Sequence, residues 1–195
     1  MELDPSTNYI VSGIERSGTS MLMQMLSNGG IPVTFDEQRK PDENNPKGYY
    51  ELAGGKIINQ LMNNNFPFNE YQAMFIKITA YGLKFLPEGN YKIIYSERNI
   101  NEILDSMEKM AEITDENREE TKEIFLKLNQ MIKQKINERS DCDVLFTNYN
   151  DILKNPETEI KKIPSFLQTT DADIAAMIET IDKKLYRQRH SSKTA

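Results

Sequence analysis

The chain is predicted to be an α/β protein, a P-loop-like three-layer αβα sandwich around a mostly parallel five-stranded sheet. Three observations carry that prediction. Five short apolar runs bounded by turn residues alternate with longer segments of helical periodicity, the pattern of right-handed βαβ units. The first run enters a glycine-bracketed polar loop and then an amphipathic segment, the layout of a phosphate-binding loop. Charged and hydroxyl-bearing residues gather at the carboxyl ends of the runs, where open α/β sheets bind their ligands.

Taken in order, residues 1–8 are a polar lead-in, and Tyr9-Ile10-Val11 is the first strand. Met21, Leu22, Met25 and Leu26 give the next helix its apolar stripe, ended by Ser27-Asn28-Gly29-Gly30. A second strand is expected over 31–35, followed by Asp36 and Glu37. The stretch 38–48, with Pro41, Pro46 and an Asn-Pro pair, is a long loop of the kind that more often serves function than connection. A helix is expected over 51–64, with Leu52, Ile57, Ile58 and Leu61 inward. Strands at 75–78 and 91–95 flank a helical turn at 81–86, and a helix over 100–110 follows on Ile103, Leu104, Met107 and Met110. The longest helix, 115–138, is expected to bury Ile124, Phe125, Leu128, Met131, Ile132 and Ile136 against a solvated face of lysines and glutamates. The fifth strand is Val144-Leu145-Phe146. A helical turn at 151–153, a helix from Pro156 to Leu167 and a last helix from Asp171 to near Tyr186 complete the pattern.

A length of 195 residues suits one domain, taken as 1–187 with a disordered tail over 188–195. Cys142 is the one cysteine, so no intramolecular disulfide is possible and a reducing, cytoplasmic location is expected. With His190 the one histidine, no Cys/His metal site is expected. The acidic start is unlike a signal peptide, and no apolar run is long enough to span a membrane. A net charge of −6 argues against nucleic acid as a partner but not against an anionic cofactor, which responds to local cations.

The loop is the most informative stretch. Gly13 and Gly18 permit a tight turn in which successive N–H groups converge on one anion, aided by the positive end of the following helix. The spacing fits GxxxxG, but Thr19-Ser20 follows, so the lysine that reaches the phosphates of a nucleoside triphosphate is missing. Its place as the local cation is taken by Arg16. Arg98 ends another strand, and Ser106 lies two turns into the next helix, a guanidinium fork and a hydroxyl suited to a second phosphate. Lys77, after the third strand, and Tyr149, after the fifth, fall at the same end of the sheet.

The run Arg16-Ser17-Gly18-Thr19-Ser20 resembles the 5′-phosphosulfate loop of the sulfotransferases, and Arg98 with Ser106 resembles that family's 3′-phosphate motif. Residues 146–168 are similar to another stretch of the family, so the likeness covers about residues 9–167. The resemblance implies 3′-phosphoadenosine 5′-phosphosulfate (PAPS) as donor, its bisphosphate (PAP) as product, no metal, and a small-molecule or carbohydrate acceptor bearing a hydroxyl or amine. It implies that Arg16, Ser17, Gly18, Thr19 and Ser20 hold the phosphosulfate and Arg98 and Ser106 the 3′-phosphate, with Tyr149 bordering the nucleotide. Arg16 and Lys77 are expected to stabilise charge on the transferring group. Glu37 falls, counted from Arg16, where the tyrosylprotein branch has its base; Asp36 and Glu51 are the reserves. The chain departs from the family in Asn99-Ile100 and Ile78-Thr79, where Asp-Pro is usual, and in lacking the C-terminal GxxGxxK loop, which leaves two alternatives: substitution by Lys183, Lys184 or Arg187, or a more open site. Two other readings stay open, a P-loop kinase of a small metabolite and a non-catalytic nucleotide-binding module of the same fold.

Overall fold

The computed structural model describes residues 2–182 and 185. Four strands, β1 (Asn8–Gly13), β2 (Phe75–Lys77), β3 (Tyr91–Glu97) and β4 (Cys142–Asn148), form one sheet in the order β2-β1-β3-β4. All pairings are parallel, with Ile10 opposite Ile76 and Ile93, and Ile94 opposite Leu145. Alternate side chains serve opposite faces, as the strand period demands. Ile10, Ile76, Ile93 and Tyr95 enter one core cluster; Tyr9, Val11, Phe75 and Ile94 enter the other. The first is covered by α2 (Ile57–Met62), the 3-10 segment Ala80–Phe85, α3 (Ile100–Ala111) and α4 (Arg118–Glu138). The second is covered by α1 (Thr19–Asn28), α5 (Tyr149–Lys154), α6 (Pro156–Ile160), α7 (Lys162–Leu167) and α8 (Ile174–Glu179). The result is the expected α/β sandwich. Among the described residues no helix is long and apolar enough to cross a membrane.

The order of strands positions the site. The chain leaves β1 toward β2 on one side, then returns past β1 to place β3 and β4 on the other. Connections diverge at the carboxyl end of β1, and such switch points open a crevice there.

Several expectations need correction. The sheet has four strands, not five: residues 31–35 make one parallel bridge, Val33 with Phe75, and Pro32 can only accept from Phe75 because it has no N–H to donate. The helix expected over 51–64 is interrupted by Gly54 and Gly55, at φ +59° and +86°, and only Ile57–Met62 is α-helical. In α4, Ile132 and Ile136 are buried and Phe125 and Leu128 pack on the core, whereas Ile124 and Met131 are exposed. The first four share one stripe; Ile124 and Met131 each lie about 100° from it at 3.6 residues per turn. Pro164, which cannot donate to Ile160, accompanies the split of 156–167 into α6 and α7. The last helix is shorter than expected and begins at the Asp173 cap, whose carboxylate accepts from the Ala176 N–H. The expected tail, with Lys183, Lys184, Arg187 and His190, lies outside the described residues.

Candidate active site

At the carboxyl end of β1 the backbone turns through Gly13 (φ +152°), Arg16 (φ +68°) and Gly18 (φ +104°) into α1. Both glycines are required by space. A Cβ on Gly13 would lie 2.5 Å from the Ser96 carbonyl oxygen, and one on Gly18 would lie 2.4 Å from the Tyr149 ring. Gly18 is the N-cap of α1 and offers no side chain to cap it, so the N–H groups of Thr19, Ser20 and Met21 have no acceptor within the helix. The turn is stapled from within by Ser17 N–H to the Ile14 carbonyl (3.0 Å) and from β3 by Ser96 Oγ to the Ser17 carbonyl (2.8 Å). Such a turn has the geometry to cradle an anion.

Above it lies a cleft of about 290 Å³. Of the expected site residues, Arg16, Gly18, Thr19, Ser20, Lys77, Arg98, Ser106 and Tyr149 all line it. Ser17 is buried below the loop, its hydroxyl without a hydrogen-bond partner among the described residues. Glu37 is exposed and does not line the cleft. The turn that precedes it explains why. Asp36 is engaged in holding the loop: its carboxylate accepts from the N–H groups of Gln38 and Ala53, and its own N–H donates to the Glu51 carbonyl. Glu51, named from the sequence as a reserve, is the candidate carboxylate that reaches the cleft.

Two clusters of charge face each other across the cradle. In the first, the Lys77 ammonium donates to the Tyr49 carbonyl (2.7 Å), Glu51 (3.0 Å) and Ser20 Oγ (3.1 Å). Lys77 is 8% exposed, and burial holds its pKa below the usual 10.5, partly offset by Glu51. Arg39 pairs with the other Glu51 oxygen at 3.0 Å and stacks 3.5 Å over the Tyr49 ring. In the second cluster, Arg16 Nε donates to Ser106 Oγ (2.8 Å), and Arg98 donates through Nε to Glu102 (3.0 Å) and through Nη1 to the Arg16 carbonyl (3.1 Å). The Arg98 guanidinium stacks 4.6 Å from the centroid of Tyr149, whose hydroxyl pKa is raised by burial. Burial also lowers the Arg16 pKa, with Arg98 as a further cationic neighbour.

The long loop after Asp36 crosses the cleft, as its length suggested. The Asn44 carbonyl accepts from Arg16 (3.4 Å), Asn45 Nδ2 donates to Ser20 Oγ (3.0 Å), and Lys47 donates to the Thr180 carbonyl (3.0 Å). Sequence reading missed Arg39 and Glu102. Arg39 carries no signal, since its partner lies twelve positions on, across the loop. Glu102 carries one: it stands four residues after Arg98 at the start of a helix, where an ion pair on one face is expected.

Comparison with known proteins came to the same fold. Mouse sulfotransferase SULT7A1, solved with PAP, superposes with a TM-score of 0.56 at 15% identity over 97% of this chain and 69% of its own. The sulfotransferase domain of the Synechococcus PCC 7002 olefin synthase gives 0.56 at 16% identity, over 92% of this chain and 78% of its own. Retinol dehydratase in complex with retinol and PAP gives 0.53 at 16%, over 94% and 67%. No curated protein sequence matches significantly. A family model for the sulfotransferase domain matches residues 6–195, and with nearly the whole length matched the chain belongs to the sulfotransferase family.

Proposed function

We propose that the protein transfers a sulfonate group from PAPS to the hydroxyl or amine of a small-molecule or carbohydrate acceptor. One observation supports this reading above the others: a single buried ammonium, Lys77, touches both the phosphate-loop hydroxyl of Ser20 and the carboxylate of Glu51. Anion cradle, charge stabiliser and base are thereby within one hydrogen-bond chain. The donor set fits PAPS, since an uncapped helix start, two arginines and a lysine match two anionic groups. PAP is also the ligand named for the mouse sulfotransferase and for retinol dehydratase, the latter with retinol.

When bound, PAPS supplies the sulfonate and a stable bisphosphate leaving group. The α1 N–H groups, Thr19 and Ser20 hold the 5′-phosphosulfate, and Arg98 and Ser106 hold the 3′-phosphate. Ser106 accepts from Arg16 and so keeps its own O–H to donate. Arg16 and Lys77 stabilise negative charge as it builds on the transferring and leaving oxygens. Glu51 takes the acceptor's proton, a role that the exposed Glu37 is not placed to fill.

The test is a thermal-shift titration with PAP beside one with ATP and magnesium. A ligand at a hundredfold excess over its Kd adds about 2.7 kcal/mol. Stabilisation by PAP is expected and should vanish in Arg98→Ala. Stabilisation by ATP–magnesium alone would overturn the reading in favour of a kinase, and no response to either would leave a module without donor binding.

A further inference from the structure

Glu102 is a carboxylate the reaction does not need, yet it is 2% exposed. Burying a carboxylate is costly unless it is paired, and its partner is Arg98, itself 8% exposed at the side chain. The pair is built on purpose-made geometry. Arg98 follows β3, Asn99 caps α3 by accepting from the Asn101 N–H, and Glu102 sits in the first turn of that helix facing back to Arg98. Asn150, from α5, donates through Nδ2 to both Glu102 oxygens (3.2 and 3.1 Å), while its Oδ1 accepts from the Asn99 N–H (3.3 Å). The carboxylate is thus held by Asn150 through both oxygens and holds the guanidinium Nε through Oε2. Tyr149, next to Asn150 in sequence, stacks on the guanidinium face. One turn along α3, Ser106 grips Arg16 in the same way, by Nε.

We propose that Glu102, anchored by Asn150, is a positioning residue that sets the Arg98 fork for the donor's 3′-phosphate. It acts through Arg98 and touches no substrate. A guanidinium fixed by Nε and by its stacking face can turn neither about its last bond nor off the ring, so its phosphate-binding edge is oriented before the ligand arrives. The inference rests on the assignment of Arg98 to the 3′-phosphate.

The experiment compares PAP with AMP, which lacks the 3′-phosphate, by calorimetry on wild type, Glu102→Ala, Arg98→Ala and the double variant. Wild type is expected to prefer PAP. Glu102→Ala should reduce that preference about tenfold while leaving AMP affinity unchanged, and it should have no further effect once Arg98 is alanine, because groups in one network couple. A merely structural loss would weaken both ligands together. Should Glu102→Ala fail to fold, Glu102→Gln serves: Arg98 and Asn150 both donate to Oε2, so an amide oxygen there can keep both bonds while the negative charge that holds the guanidinium is lost, and the preference should fall between wild type and Arg98→Ala. A preference unchanged from wild type, or losses that simply add in the double variant, overturns the proposal. A wild type without preference for PAP would instead overturn the 3′-phosphate assignment beneath it.

Discussion

Replacing Lys77 by Met separates the chemistry of the cleft from its stability. The thioether side chain keeps the length of the stem and removes the charge and three donated hydrogen bonds. Each abandoned partner keeps another. The Tyr49 carbonyl still accepts from Ser20 Oγ (3.2 Å), Ser20 Oγ still accepts from Asn45 (3.0 Å), and Glu51 still pairs with Arg39 (3.0 Å). The loss is therefore smaller than the roughly 3–5 kcal/mol for orphaning a buried charge. It should be nearer about 1.5–3 kcal/mol, the net worth of a hydrogen bond to a charged group. In a domain of this size that lowers Tm by roughly 2–4 °C per kcal/mol. The catalytic loss should be larger, because a charge aimed at the transition state is worth about 10²–10³ in kcat. Thermal unfolding, PAP titration and turnover on an alcohol, phenol or amine found by screening read the three effects in one preparation. A folded variant that still binds PAP and keeps kcat within about fivefold would refute the role given to Lys77. A variant that does not fold would refute the redundancy of its partners.

Three further outcomes follow from the same geometry. Glu51→Gln should lower kcat by about 10²–10⁴ while Glu37→Gln leaves it unchanged; the reverse order in a turnover assay would return the base to Glu37. Gly18→Ala should abolish PAP stabilisation and lower Tm, because a Cβ at φ +104° meets the Tyr149 ring at 2.4 Å; retained PAP binding would show that the loop yields more than its packing implies. Lys77 has a folded pKa lowered by burial, so the ammonium loses its proton below the ordinary 10.5 and kcat should fall there. Stability moves oppositely: between the lowered value and 10.5 the unfolded chain binds more protons, so the burial penalty is relieved as pH rises. A pH–rate profile with no alkaline limb below 10.5 would contradict the assignment, as would a limb unmoved in Lys77→Arg.

How much of this was legible in the sequence depended on whether the signal was local. The loop from Gly13 to Ser20 and the pair Arg98 and Ser106 were readable because glycine spacing and helix periodicity are short-range, and all the expected residues among them but Ser17 line the cleft. The misread strand at 31–35 has strand-like composition, but Pro32 cannot donate and the Asp36 turn ends pairing after one bridge. Which carboxylate reaches the cleft was harder to read. Counting along the chain points to Glu37, but distance along a turn says nothing about direction, and Glu37 lies outside the cleft. Asp36 spends its carboxylate on Gln38 and Ala53, which leaves Glu37 outside and brings Glu51 to Lys77. That outcome depends on tertiary contacts with no periodic trace.

The cleft reverses the charge of the molecule that carries it. The chain is net −6, yet Arg16, Arg39, Lys47, Lys77, Arg98 and Lys109 line the cleft against Glu15, Glu51 and Asp182. Such a concentration of cations would repel itself unless acceptors were close by. Part of the acceptor set is backbone carbonyl from the crossing loop, Asn44 for Arg16 and Tyr49 for Lys77 and Ser20, together with the Thr180 carbonyl for Lys47. These are neutral acceptors, and an anionic oxygen adds the attraction of opposite charges to the same hydrogen bonds. A phosphosulfate entering the cradle therefore competes favourably for the same donors, while the carbonyls still cap the cations when none is bound. The same arrangement explains why Glu51 and Glu102 are the carboxylates packed beside these cations. Each is paired to a named lysine or arginine and shapes where its charge is presented, whereas an unpaired carboxylate at either place would work against binding an anion.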